Sequence, residues 1–311
     1  MGVSGWEIRQ VVEAAKHAVV HVRTLDRPPD QFTLGSGVIL DHRHVLTTAQ
    51  IVSGDEKEIT VRTANGRRYS ATLVAVDPLY YLSVLEVDGH LPEPLPLLSA
   101  DQIQPGDPVV AIGNALGYDY NVTAGVVAAV DRTIYRPERL PVDGLLITDA
   151  VIHPGNVGGG LVRLDGRLAG ICGLPWQHGL GLAVHADVAW RVANQILDYG
   201  QAVHPWLGFT GEPEVVDPAM VELFRLPFDR GVLVTHVVAG GPGDRAGVQV
   251  NDVVVRVKDR QVTSLGSIRK VLALHRHGER VPITVLRAGE LVELEMEVEE
   301  IPRLQPRGEG R

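Results

Sequence analysis

Residues Thr148–Leu161 read T-D-A-V-I-H-P-G-N-V-G-G-G-L, and the rest of the chain is organised around them. A proline and four glycines inside this short segment, with apolar runs on either side, mark a tight bend between strands. Gly155, Gly158, Gly159 and Gly160 allow positive φ or a close approach by another group. Val157 stands among them at the tip of the bend.

Working outward, Leu34–Val52 reads L-G-S-G-V-I-L-D-H-R-H-V-L-T-T-A-Q-I-V. Two β-branched runs flank the polar turn Asp41–Arg43, so this segment is expected to be a hairpin. It holds His42 and His44, and the same H-x-H spacing recurs at His275 and His277. Two histidines on a solvated turn without a third ligand are expected to bind no metal, and no cofactor is indicated. Strands are expected at Glu58–Thr63, Arg68–Val76 and Leu82–Val87, and Val76–Leu85 reads V-D-P-L-Y-Y-L-S-V-L. Further strand-turn-strand patterns fill Asp107–Asp131. Thr133–Pro141, with two prolines and three charges, reads as a surface loop. Leu168–Leu174 and Gly179–Val184 read as strands, then Val188, Val192 and Ile196 as one helix face with Gly200 as its stop.

Composition bounds the class. The chain has 311 residues, enough for two cores, with 34 Gly and 20 Pro spread as turn signals. The net charge of −9 argues against nucleic acid as a partner. Cys172 is the sole cysteine, in an apolar strand-like run, and is expected to be an inert core thiol. No run reaches the length of a membrane span. The opening M-G-V-S-G-W-E-I-R-Q lacks a basic segment followed by an apolar one. A cytoplasmic location is expected for the sequence as it stands, and an exported one if the N-terminus was trimmed.

These segments resemble the HtrA family, trypsin-like serine proteases that carry PDZ domains. The family's loop T-D-A-x-I-N-P-G-N-S-G-G-P-L aligns with Thr148–Leu161 and places Val157 where the nucleophilic serine stands. The family's L-T-N-A-H-V-V places Gln50 at the general base, and its D-P-x-x-D-L-A-V-L places Tyr81 at the triad carboxylate. A glutamine amide does not titrate near neutrality, and a phenol with a pKa of about 10 carries no charge there. From Trp206 to about Ile301 the pattern resembles a bacterial PDZ domain, with Trp206-Leu207-Gly208-Phe209 at the carboxylate-binding loop. Asn251 stands where the family's turn has glycine, a position asparagine tolerates.

The resemblance implies a mostly β fold: a double six-stranded antiparallel barrel over residues 1–200, a linker at 201–205, a PDZ domain at 206–301 and a disordered tail at 302–311. It implies a chain that is not an enzyme but a degenerate homologue, a pseudoprotease with a chaperone-like or regulatory role in protein quality control. The alternatives are an active endopeptidase using atypical residues, or a structural subunit assembled with an active HtrA relative. Backbone N–H groups of Gly155 and Val157 are expected to keep an oxyanion-hole-like nest. Peptides or unfolded protein C-termini are the expected partners. The N–H groups of Leu207, Gly208 and Phe209 would hold the carboxylate, and Leu207, Phe209, Ile268 and Leu272 would line the side-chain pocket. The family's assembly implies a homo-oligomer, a trimer with Trp6 and the helix after it as contacts.

Overall fold

The computed structural model describes residues 5–25, 32–99, 102–113, 120–136, 139–175, 179–272 and 275–300. The chain divides into two compact units, Met1–Ala202 and Val203–Arg311. The expected tail at 302–311 lies outside the described residues.

The first unit opens with helix α1 (Gly5–Ala15), which turns Val11 and Ala15 inward. Six strands follow: β1 (Val19–Leu25), β2 (Phe32–Ile39), β3 (His44–Thr48), β4 (Glu58–Arg62), β5 (Arg68–Asp77) and β6 (Leu82–Val87). They close an antiparallel barrel in the order β1-β2-β3-β6-β5-β4. A second barrel uses β7 (Pro108–Gly113), β8 (Asn121–Arg136), β9 (Arg139–Thr148), β10 (Gly160–Arg163), β11 (Leu168–Pro175) and β12 (Gly181–His185). Its strands follow the order β10-β11-β12-β9-β8-β7. Closure removes the sheet edges that such β-branched runs would otherwise expose. Helix α2 (Ala186–Tyr199) ends the unit; it buries Ala189, Val192, Ala193 and Ile196 and stops at Gly200 with φ +77°.

Thr133–Pro141 is not the surface loop its prolines suggest. Thr133–Arg136 belong to β8 and Arg139–Pro141 to β9, with Ile134 opposite Val142. Both of these apolar side chains are buried, and the Thr133 hydroxyl donates to Asp143 Oδ1 at 3.0 Å. Burial of a facing apolar pair outweighs the local turn signal.

The second unit contains a five-strand path β14-β15-β16-β18-β19: β14 (Phe209–Val215), β15 (Arg230–Val237), β16 (Val253–Val257), β18 (Arg280–Arg287) and β19 (Glu290–Glu297). A short β17 (Arg260–Gln261) pairs with β16, and β13 (Pro205–Trp206) pairs with β20 (Glu299–Glu300). Three helices complete it: α3 (Pro218–Leu223), α4 (Pro242–Ala246) and α5 (Leu265–Leu272). The expected linker at 201–205 therefore overlaps β13 at Pro205. The cap of α5 is reciprocal: Ser267 N–H donates to Ser264 Oγ at 3.1 Å, and Ser264 N–H to Ser267 Oγ at 3.0 Å. Asn251 takes the left-handed conformation expected of it, at φ +75°.

Candidate functional site

The central bend is a one-turn helix, Pro154–Asn156, followed by Val157 in an extended conformation. It is tied to the first barrel by a chain of short bonds. Ser36 Oγ donates to the Gly155 carbonyl at 2.7 Å, and Ser36 N–H donates to the Val157 carbonyl at 3.0 Å. Thr47 Oγ1 in turn donates to the Ser36 carbonyl at 2.7 Å. On the other side, Gly158 N–H donates to the Cys172 carbonyl, and Cys172 N–H to the Gly159 carbonyl, both at 2.8 Å. In the sequence Ser36 and Thr47 are legible only as parts of a hairpin, because a hydrogen bond across 119 residues leaves no local pattern.

Val157 is 1% exposed, so its isopropyl group is packed inward. Gly155 N–H donates to His153 Nδ1 and Val157 N–H to the Pro154 carbonyl, each over 3.4 Å. The two amides expected to form an anion nest are thus engaged within their own loop. Asn156 is fully buried, and its side-chain amide finds no partner among the described residues.

The ladder between β3 and β6 sets Thr48 opposite Leu82, and Ala49 N–H donates to the Tyr81 carbonyl at 2.8 Å. That pairing carries Gln50 and Tyr81 to the same end of the first barrel. Gln50 is exposed and Tyr81 half-buried. Tyr81 has φ +56°, a strained value for an aromatic residue, next to a turn where buried Asp77 accepts from Tyr80 N–H at 2.7 Å. Burial pushes the Cys172 thiol up to about 12, as an inert core thiol requires.

His44 Nδ1 lies 2.8 Å from an Asp41 oxygen, whereas the His42 ring stacks on His90 with centroids 4.3 Å apart. His275 pairs with Glu279 at 2.6 Å.

In the second unit Gly208 has φ +67°, which turns the loop between β13 and β14. Its carbonyl accepts from Val238 N–H at 2.7 Å, and the Leu207 carbonyl accepts from Gly243 N–H at 3.0 Å. Among the described residues, the N–H groups of Leu207 and Gly208 donate no backbone hydrogen bond. Leu207, Phe209, Ile268 and Leu272 are brought together, but as core residues, none more than 3% exposed. Trp206 is half-buried in β13.

Residues 35–171 match the model of the trypsin-like peptidase domain, and residues 207–298 that of the PDZ domain. The solved HtrA-type protease AlgW with tripeptide is 31% identical, with a TM-score of 0.72 over 97% of this chain and 99% of that one. The chain belongs to the HtrA-type protease family. The serine endoprotease from Yersinia pestis is 30% identical, with a TM-score of 0.63 and coverage of 97% and 99%. A probable periplasmic serine endoprotease, DegP-like, of Chlamydia trachomatis serovar D is 33% identical over 86% of this chain and 54% of its own length. Its namesake in Hahella chejuensis is 31% identical over 96% and 64%. The chain thus spans about half to two thirds of these curated relatives.

This kinship corrects the expectation that the chain is not an enzyme. Relatives at 31–33% identity over most of its length are named serine endoproteases. Three side chains do not decide the class of the whole molecule. What Gln50, Tyr81 and Val157 determine is narrower: which atoms are absent at those positions. Val157 has no hydroxyl, so no acyl-enzyme forms on residue 157.

Proposed function

We propose that this HtrA-type chain captures free C-termini of peptides and unfolded proteins through its PDZ domain, in a regulatory or chaperone-like role. One observation carries the reading. The loop before β14 commits the carbonyls of Leu207 and Gly208 to the neighbouring turn, while their N–H groups donate no backbone bond among the described residues. With Gly208 at φ +67°, successive amides can converge on one anion, the arrangement known as a nest. A carboxylate supplies the missing acceptor. The peptide then runs along β14 beside α5. The solved AlgW structures with a tripeptide and with a decapeptide support peptide binding as the role of this architecture. The relatives named as periplasmic fit the exported setting better than the cytoplasmic one. Any hydrolysis by the chain itself runs through a group other than residue 157.

The test is fluorescence polarisation with peptides ending in an apolar residue, each made as the free acid and as the amide. An affinity near micromolar, about 8 kcal/mol, is expected for the free acid. Amidation should weaken it at least about tenfold, since a charge-assisted bond is lost. Equal binding of the two forms would overturn terminal capture.

A further inference from the structure

Strands β1, β4 and β5 set a group of basic side chains on the outer face of the first barrel. His21 stands opposite Arg62, and Arg62 opposite Arg68. One step along, Arg23 stands opposite Thr60, and Thr60 opposite Ser70. Residues paired in this way share one face of a sheet. Val20, Val22, Ile59 and Val61 alternate with them and are buried in the barrel core. Arg62 and Arg68 are therefore like charges held side by side, an arrangement that destabilises a strand pair. The acidic neighbours stand at the ends of the group: Glu58 opposite Leu25, where it accepts from Thr60 Oγ1 at 3.4 Å, and Asp88 beside Ser70.

His21 lies at the centre and is only 7% exposed, yet its Nε2 has no hydrogen-bond partner among the described residues. Its flank towards β2 is closed by Ser36, which is fully buried. Burial, then the charges of Arg62, Arg23 and Arg68, hold the ring neutral, so all three guanidinium groups are near enough to act on it. A hollow of about 160 Å³ opens alongside, lined by Arg23, Leu25, Glu58 and Thr60. We propose that this face, at His21, Arg23, Arg62 and Arg68, binds a small oxyanion of the phosphate class, such as orthophosphate or pyrophosphate. A bound anion offsets the repulsion between Arg62 and Arg68 and gives His21 Nε2 the partner it lacks. Neutral imidazole gives or takes a hydrogen bond at this nitrogen, and hydrogen phosphate offers both oxygen acceptors and a hydroxyl. Arg23 and Arg62 also make contacts of their own, and a guanidinium with five N–H donors serves more than one acceptor. The recessed position of His21 below the arginines suits a small ion rather than a flat charged surface. The net charge of −9 over the whole chain disfavours a long polyanion.

The experiment uses the full chain and pyrophosphate, followed by isothermal titration calorimetry at a constant ionic strength set with chloride. Saturable binding is expected, about millimolar or tighter. In a nitrogen–proton spectrum of the histidine rings, the His21 signal should move with the same midpoint while the other histidines stay nearly in place. Arg62→Gln and Arg68→Gln should each weaken binding at least about tenfold, because a charge-assisted contact is lost. Arg67, exposed in the turn beside Arg68, supplies the control. Arg67→Gln removes an equal charge outside the group and should change affinity by less than about twofold. Circular dichroism checks each fold, and Arg23→Gln replaces either variant of the group that fails to fold. Absence of saturable binding would overturn the proposal. So would a folded Arg62 or Arg68 variant that binds as the wild type does, or an equal loss in Arg67→Gln. Vesicles containing phosphatidylglycerol present the same phosphate chemistry on a flat surface. Sedimentation of the wild type with them, without saturable binding of free pyrophosphate, would also refute a recessed ion site.

Discussion

Replacing Gly158 by alanine probes the join between the central bend and the first barrel. Gly158 has φ +83°, and a Cβ there would lie 2.1 Å from the Ser36 carbonyl oxygen and 2.6 Å from Thr47 Oγ1. The oxygen cannot easily retreat. It accepts from Thr47 Oγ1, and the Ser36 N–H is held by the Val157 carbonyl. The left-handed conformation costs alanine about 1–2 kcal/mol. Overpacking against fixed backbone adds about 1–3 kcal/mol, and breaking the buried Thr47–Ser36 bond about 1–3 more. The expected loss is about 3–8 kcal/mol, a large part of a domain's usual stability of about 5–15 kcal/mol. Gly166 supplies the control: its φ is +82°, and an added Cβ would meet nothing within 4 Å. Gly166→Ala should lose only the conformational part, about 1–2 kcal/mol. Urea unfolding followed by circular dichroism, with calorimetry to separate the two units, measures both. If the two variants differ by less than about 1 kcal/mol, the bend is not clamped as described.

Other outcomes hang on single residues. Burial, then the charges of Arg62, Arg23 and Arg68, lower the His21 pKa from 6.5 to about 4. The native state keeps this ring neutral while the unfolded chain takes up a proton, so its contribution is fully present above about pH 6.5 and is lost as pH falls towards 4. The loss amounts to about 2 kcal/mol once solvent screening is allowed for, and His21→Gln should flatten that part of the stability–pH curve; a parallel curve would refute it. Cys172, held protonated by burial, should not react with a thiol reagent at about pH 8 in the native state but should react fully in urea; fast native labelling would contradict its place in the core. A fluorophosphonate probe should leave no adduct on residues 153–160 of the wild type, which hold no hydroxyl side chain, and an adduct mapped there by mass spectrometry would overturn that expectation.

Much of the fold is legible because its signals are local. The turn Asp41–Arg43, the strands from Glu58 to Val87 and the Gly200 stop each follow from neighbouring residues. The left-handed Asn251 is readable for the same reason. Thr133–Pro141 misleads because Ile134 and Val142 become a buried pair only when the strands meet. The triad-equivalent positions can be found by motif, but not the inward packing of Val157 or the engagement of the Gly155 amide by His153. The packing depends on Ser36 and Thr47, about a hundred residues or more away in sequence. The four PDZ residues expected to line a pocket do cluster, yet they are core. Their apolar character signals burial equally well in either role.

Terminal capture requires the amides of Leu207, Gly208 and Phe209 to receive a carboxylate. The most direct measurement is a nitrogen–proton correlation spectrum of the full chain, recorded with a free-acid peptide and again with its amide. The free acid should move the Leu207, Gly208 and Phe209 resonances most, together with those of β14 and α5, and the amide should leave the three loop amides nearly in place. Equal shifts with both peptides, or shifts confined to the barrels, would contradict it.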